Sequence, residues 1–194
     1  ITIVHGGWII DTPERNHPWL MQKELSGGQM VEQTTHLFDL VRYLCGEVSS
    51  IHCYGTRGFI PSDERYNTDD ATGVLIKLMN GAFASIVSSW SSGLENKIYL
   101  NLSGPDIGVQ FTNWEFDTII LLRNSQNPII IPGERDIFSI EGRIFIDAIK
   151  SNNPKGILSD YDDGVKSLEM SMAANKSLQY GIPVRLGGRD ATFS

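Results

Sequence analysis

The chain is poor in cysteine, in clustered cations and in long apolar runs, and each shortage excludes a class of function. Two cysteines, Cys45 and Cys53, make neither a disulfide framework nor a metal-ligand spacing. Both are expected to be reduced and packed, in a cytoplasmic protein. The formal charge is −7 and the basic residues are scattered, which argues against nucleic acid, because phosphate backbones are met by clustered Lys and Arg. The longest apolar stretches, Ile119 to Leu122 and Ile129 to Ile131, fall far short of a membrane span. No G-x-G-x-x-G, Walker or nucleophile-elbow pattern occurs, so the chain alone is not expected to hold a nicotinamide cofactor. No metal is expected either. Glu32 and His36 would supply two ligands where a catalytic zinc site takes three.

What is present suits an ordinary globular domain. With 194 residues and 41% hydrophobic content, the chain can bury a core as one domain, expected over 1–186 with a polar tail at 187–194. It opens at Ile1 with strand-like sequence and no initiator Met, and so reads as a piece of a longer protein. Ile1 to Ile10 predicts a strand in which Gly6-Gly7 suggests a bulge or a close backbone contact. A polar loop to Gly28 follows, and then a helix from about Gln29 to Leu44. Val48 to Tyr54 predicts a strand. Ala71 to Met79 and Ala82 to Trp90 predict a hairpin about Asn80-Gly81, whose two central positions would take positive φ. Strands over Glu95 to Leu102, Val109 to Asn113, Phe116 to Arg123 and Pro128 to Ile131 complete a meander. Helices over about Ser139 to Lys150 and Tyr161 to Tyr180, and a last extended stretch over Ile182 to Leu186, close the chain. The fold class expected is α+β, a mostly antiparallel open-faced sheet with helices packed on one face. Its other face, too apolar for water, is expected to pair with a second copy.

The most chemical feature is a stripe of four polar residues on the first long helix: Glu32, His36, Asp39 and Tyr43. At about 100° per residue, spacings of four, three and four keep them within about 60° of one another, opposite Met30, Val31, Thr34, Leu37, Phe38, Val41 and Leu44. Such a stripe is commonly a solvated face, and Glu32 with His36 could be a plain i, i+4 pair. The same groups can also donate, accept and move protons. Ser26-Gly27-Gly28 ahead of the helix is a weak anion-site candidate.

The stretch SGGQMVEQTTHLFDLVRYLCGEV, Ser26 to Val48, resembles the G-G-G-x-L-x-D-x-G-x-H-x-x-D-L-x-R-Y-L-x-G-E-V signature of the C-terminal domain of the glucose–fructose oxidoreductase / inositol dehydrogenase (Gfo/Idh/MocA) family. Asp69 to Trp90 is similar to the family's central hairpin. Phe145 to Lys150 and Gly164 to Leu186 are similar to its closing helices and final G-x-P-V-x-L phrase. The resemblance implies the substrate half of an NAD- or NADP-dependent oxidoreductase that oxidises a sugar or cyclitol hydroxyl by hydride transfer. The cofactor would be bound mainly by an N-terminal Rossmann domain not in this chain, and the chain alone would be inactive. It implies His36 and Glu32 as catalytic residues, His36 at the family's His and Glu32 at its Asp, acting with a lysine of the Rossmann half. Thr34 stands where the family has Gly. His17, Trp19 and Asp39 are expected to bind substrate, whereas Arg42 and Tyr43 read as structural. The competing expectation is a stand-alone carbohydrate-binding or dimerisation module without catalysis.

Overall fold

The computed structural model describes residues 1–11, 17–60, 66–91, 96–113, 118–123 and 127–187. Strands β1 (Ile3–Ile9), β2 (Val48–Thr56), β3 (Ala71–Leu78), β4 (Phe83–Ser89), β5 (Lys97–Gly104), β6 (Ile107–Thr112), β7 (Thr118–Arg123), β8 (Ile129–Pro132) and β9 (Val184–Arg185) form one sheet. Its order is β8-β7-β6-β5-β1-β4-β3-β2-β9. Every neighbouring pair is antiparallel except β1 with β4, so the first strand inserts between β4 and β5, parallel to one and antiparallel to the other. That non-local insertion puts the N-terminal strand in the middle of the sheet, and nothing in a linear reading of turns announces it.

Period-two alternation decides which side of each strand is buried. Along β3, Thr72, Val74, Ile76 and Leu78 are buried, while Leu75 and Lys77 face out. Beside it, Ala84, Ile86 and Ser88 of β4 point inward and Phe83 and Val87 outward. Ile76, Leu78, Ile86 and Leu100 therefore serve the core, and Phe83 and Val87 are left on the open side.

The helices are α1 (Lys23–Ser26), α2 (Gln29–Glu32), α3 (Thr34–Cys45), α4 (Ile137–Ser151) and α5 (Tyr161–Tyr180), with a 3-10 turn at Pro154–Gly156. Three of them, α2, α3 and α5, pack on one side of the sheet, so the α+β, open-sheet architecture holds. Met30 of α2, Leu37, Phe38 and Val41 of α3, and Met170, Ala173 and Ala174 of α5 close over Val4, Ile51, Val74, Ile76, Ile86 and Leu100. Burying a side chain of this kind stabilises by about 1.5–3 kcal/mol. The Asp160 side chain caps α5 by accepting from the Asp163 N–H at 2.9 Å, and Gly181 ends the helix with a left-handed φ of 68°.

Several details depart from the sequence reading. The helix expected over Gln29 to Leu44 breaks at Gln33 into α2 and α3. A short helix, α1, forms inside the expected polar loop. The β3–β4 turn gives positive φ to Gly81 but not to Asn80, with the Gly81 N–H donating to Leu78 O at 3.2 Å. That is a type I turn followed by a left-handed residue rather than a primed two-residue turn. Finally, α4 makes extensive contact only with the 3-10 turn among the described residues, and no residue of it is buried. Leu44, expected on the apolar side of α3, is 37% exposed. Of the expected tail, only Gly187 lies within the described residues.

Candidate active site

The break at Gln33 organises the site. Its side chain, 6% exposed, donates from Nε2 to the Trp8 carbonyl at 3.1 Å and accepts at Oε1 from the Trp90 indole N–H at 2.6 Å. One amide thus ties the helix to β1 and to the residue after β4. Both of its polar ends are satisfied, as a buried amide requires. The next residue, Thr34, is fully buried and hydrogen-bonds Gln29 O at 3.1 Å and Ser88 Oγ at 2.7 Å. The departure from the family's Gly therefore reinforces the interior of the fold; Thr34 does not line the cleft described next.

A cleft of about 640 Å³ opens beside this junction, lined by Trp8, Ile10, His17, Leu20, Glu32, Gln33, His36, Trp90, Asn96, Ile98 and Asn113. That volume suits a small-molecule ligand. Glu32 comes from the last residue of α2 and His36 from the first turn of α3, and both are exposed at the cleft. The His36 ring stacks on Trp8, with centroids 5.4 Å apart and planes 25° from parallel. This contact lays one face of the imidazole against the indole. His17 joins from the loop before α1. The lining combines a carboxylate and two imidazoles with two indoles, Trp8 and Trp90. An aromatic wall suits C–H-rich faces, and the carboxylate and imidazoles suit hydroxyls.

The remaining residues of the expected site go elsewhere. Trp19 is 42% exposed and does not line the cleft. Tyr43 is exposed. Asp39 turns toward α5: its Oδ1 accepts from Ser167 Oγ at 2.5 Å and lies 3.6 Å from the Arg42 guanidinium. Arg42, 9% exposed, also pairs with Glu47 at 3.3 Å and with Asp163, and it donates to Ser167 Oγ at 2.7 Å. Burial alone would push the Arg42 guanidinium down, and the three carboxylates around it outweigh that and raise it. Hydrogen bonds from Ser159 and from Arg42 hold the Asp163 carboxyl below its usual range. Arg42 is thus structural, joining α3 to α5.

Sequence reasoning missed Trp8, Gln33, Trp90 and Asn96. Trp8 and Trp90 lie near the ends of two strands whose pairing was not expected, and a glutamine between a glutamate and a threonine gives no signal of its own. Ser26-Gly27-Gly28 forms a tight turn: Gly27 has φ 76°, a Cβ there would meet the Val31 Cβ at 2.7 Å, and the Gly28 N–H donates to Ser26 Oγ at 3.0 Å. One of the amides an anion would use is thereby occupied. Both cysteines are free and buried, and burial pushes the Cys53 thiol up to about 12, so it carries no thiolate at neutral pH. No group of three or more His, Cys, Asp or Glu among the described residues is arranged to hold a metal. No described helix is long and apolar enough to cross a membrane.

Known proteins are similar to this chain in sequence and in fold. The model of the GFO/IDH/MocA C-terminal domain matches residues 1–107. The chain is 26% identical over 167 residues to scyllo-inositol 2-dehydrogenase (NAD(+)) of Bacillus subtilis (strain 168), a match covering 83% of this chain and 48% of that protein. It is 24% identical over 199 residues to the uncharacterized oxidoreductase YrbE of the same organism, covering 95% of this chain and 58% of that one. The chain therefore spans about half the length of these relatives. Among solved structures, levoglucosan dehydrogenase in complex with NADH and levoglucosan aligns with a TM-score of 0.81 at 20% identity, over 97% of this chain and 59% of that one. The WlbA dehydrogenase from Bordetella pertussis, in complex with NADH and UDP-GlcNAcA, aligns at 0.78 and 18%, over 97% and 55%. At these identities the structural likeness establishes the fold.

Proposed function

The chain belongs to the GFO/IDH/MocA family, as its C-terminal domain, and from that premise we propose that it is the substrate-binding half of an NAD(P)-dependent oxidoreductase acting on a sugar or cyclitol hydroxyl. The observation that carries the reading is the cleft. Glu32 and His36 reach it from two different helices, with the imidazole laid against the Trp8 ring. Support also comes from the relative named as a scyllo-inositol dehydrogenase and from the sugar-bound structures of the same fold.

The described residues do not themselves suit a dinucleotide. No glycine-rich turn runs from a strand directly into a helix, and no cluster of cations lines the cleft. NAD or NADP belongs in this proposal to the part of the relatives that the chain does not span, where it would accept the hydride. The work left to this chain is orientation and proton handling. His36 hydrogen-bonds the hydroxyl that is to lose its proton and shares that proton through its imidazole. Glu32 accepts from a neighbouring hydroxyl or from the imidazole, setting which carbon is presented. His17 closes the polar side of the cleft, while Trp8 and Trp90 meet the C–H face of the ring. Asp39 serves by holding α3 against α5 through Ser167 and Arg42. The open face of the sheet pairs with a second copy. We place the protein in the cytoplasm.

The test is His36→Ala in a protein that carries the nucleotide-binding half, followed by NAD(P)H absorbance across a panel of sugars and cyclitols. Turnover should fall at least about a hundredfold. Undiminished turnover would remove His36 from the mechanism, and a wild-type protein silent across the whole panel would favour the stand-alone module.

A further inference from the structure

The nine described strands carry no aspartate or glutamate, although the chain as a whole is acidic. On the open face the only charged strand residues are cations, Lys77, Lys97 and Arg185, placed by register opposite Phe83, Ile9 and Ser50. Two of the chain's four histidines share that face, His5 on β1 and His52 on β2. β1 is the middle strand of the nine, so His5 stands near the centre of the face.

His5 is built in. Its Nδ1 lies 2.9 Å from Ser85 Oγ on β4, and its Nε2 lies 3.0 Å from Tyr99 OH on β5. Gly7 makes this possible, because a Cβ there would come within 2.7 Å of the Tyr99 ring, which lies across the strand. Around His5, β4 contributes Phe83, Ser85 and Val87, and β5 contributes Tyr99, Asn101 and the Lys97 ammonium, 5.4 Å from the Tyr99 ring centre. Burial holds the Tyr99 phenol above its ordinary range, so it stays neutral. His52 stacks on Tyr54 at 4.6 Å, its Nε2 is buried without a hydrogen-bond partner, and it faces Leu75 and Lys77 of β3 and Arg185 of β9. Neither imidazole has a carboxylate facing it from any described strand.

We propose that this face associates with a second copy of itself and that His5 and His52 make the association pH-sensitive, holding at neutral pH and failing as acid charges them. The inference rests on the self-pairing already proposed. The occupant is a second copy because the face is about 40 Å by 20 Å from strand spacing and length, close to the roughly 800 Å² per partner of a standard interface. It also exposes Ile3, Tyr54, Leu75, Phe83, Val87 and Ile130. Two-fold pairing sets a patch against the same patch, so described strands without carboxylates meet the same strands of the second copy. Protonated His5 would keep its two hydroxyl contacts but, once covered by the second copy, would bury a charge that no strand carboxylate meets, and the His52 ring would do the same. The sign follows: the paired state prefers neutral imidazoles, so pairing is complete above the range where histidine titrates and lost below it.

Sedimentation at about pH 7.5 and about pH 5.5 tests this. Each histidine kept neutral in the dimer should weaken pairing about tenfold between these values, about a hundredfold for one on each chain. The double variant His5→Gln, His52→Gln should pair at both values with little change. Histidine ring NMR on the wild type gives a second reading that needs no variant: the His5 and His52 midpoints should fall as protein concentration rises. A wild-type dimer of equal affinity at both values, with concentration-independent midpoints, would overturn the switch and leave self-pairing intact. A monomer at about pH 7.5 would overturn both.

Discussion

The two ends of one polar stripe lead different lives. Glu32 and His36 reach the cleft, exposed and set against tryptophan. Less than two turns further on, Asp39 and Arg42 are bound up with Ser167 and Asp163 on α5. Each end sets an acid against a basic group, four residues apart at the front and three at the back. What separates them is the neighbour each end meets. The front end faces the gap beside β1 and β5, where no described helix packs; the back end faces α5. A polar stripe therefore divides into cleft lining and scaffold according to the tertiary contacts opposite it.

Each of the following substitutions presses on that division. His36→Ala in a protein with its nucleotide-binding half should lower turnover at least about a hundredfold yet move stability by no more than about 0.5 kcal/mol, since the side chain is exposed; steady-state kinetics with thermal melts read both. Arg42→Ala should do the reverse, costing about 2 kcal/mol in chemical denaturation, because it leaves three half-exposed carboxylates around a vacated site. The Michaelis constant should stay put, and a large rise in it would return Asp39 and Arg42 to the substrate. Thr34→Val should cost about 1–2 kcal/mol, by leaving the buried Ser88 hydroxyl without its partner.

The smallest effect is one of pH. Because Ser159 and Arg42 hold the Asp163 carboxyl below its unfolded value, its contribution to stability is present above that unfolded value and fades as pH falls through the folded one. Asp163→Asn should flatten the acid limb of a stability–pH curve. An unchanged limb would show that the pairing contributes nothing in solution.

Much of the fold was legible. The length of α5, the alternation along β3 and β4 and the glycine that ends α5 all follow from local pattern. The central place of β1 was not, because a parallel pairing with β4 across about eighty residues leaves no local trace. Nor was the break at Gln33, since helix periodicity continues through it and the cause is two hydrogen bonds to residues distant in sequence. Of the candidate site residues named from sequence, His36, Glu32 and His17 lie along the cleft. Asp39 and Trp19 were named with them but do not line it, and the tryptophan wall went unseen because both rings arrive from strand ends. The standing apart of α4 was hidden too, for its pattern is that of any amphipathic helix.

The central claim is that this chain offers a polyol pocket at His36 and nowhere along the Asp39–Arg42 end of the same stripe. The direct measurement is an NMR titration of the chain with sugars and cyclitols, following the His36 imidazole, the Trp8 and Trp90 indoles and the Arg42 guanidinium. The account predicts saturable shifts at His36 and the two indoles with Arg42 unmoved. Shifts centred on Arg42, or none at His36 with any member of the panel, would contradict it.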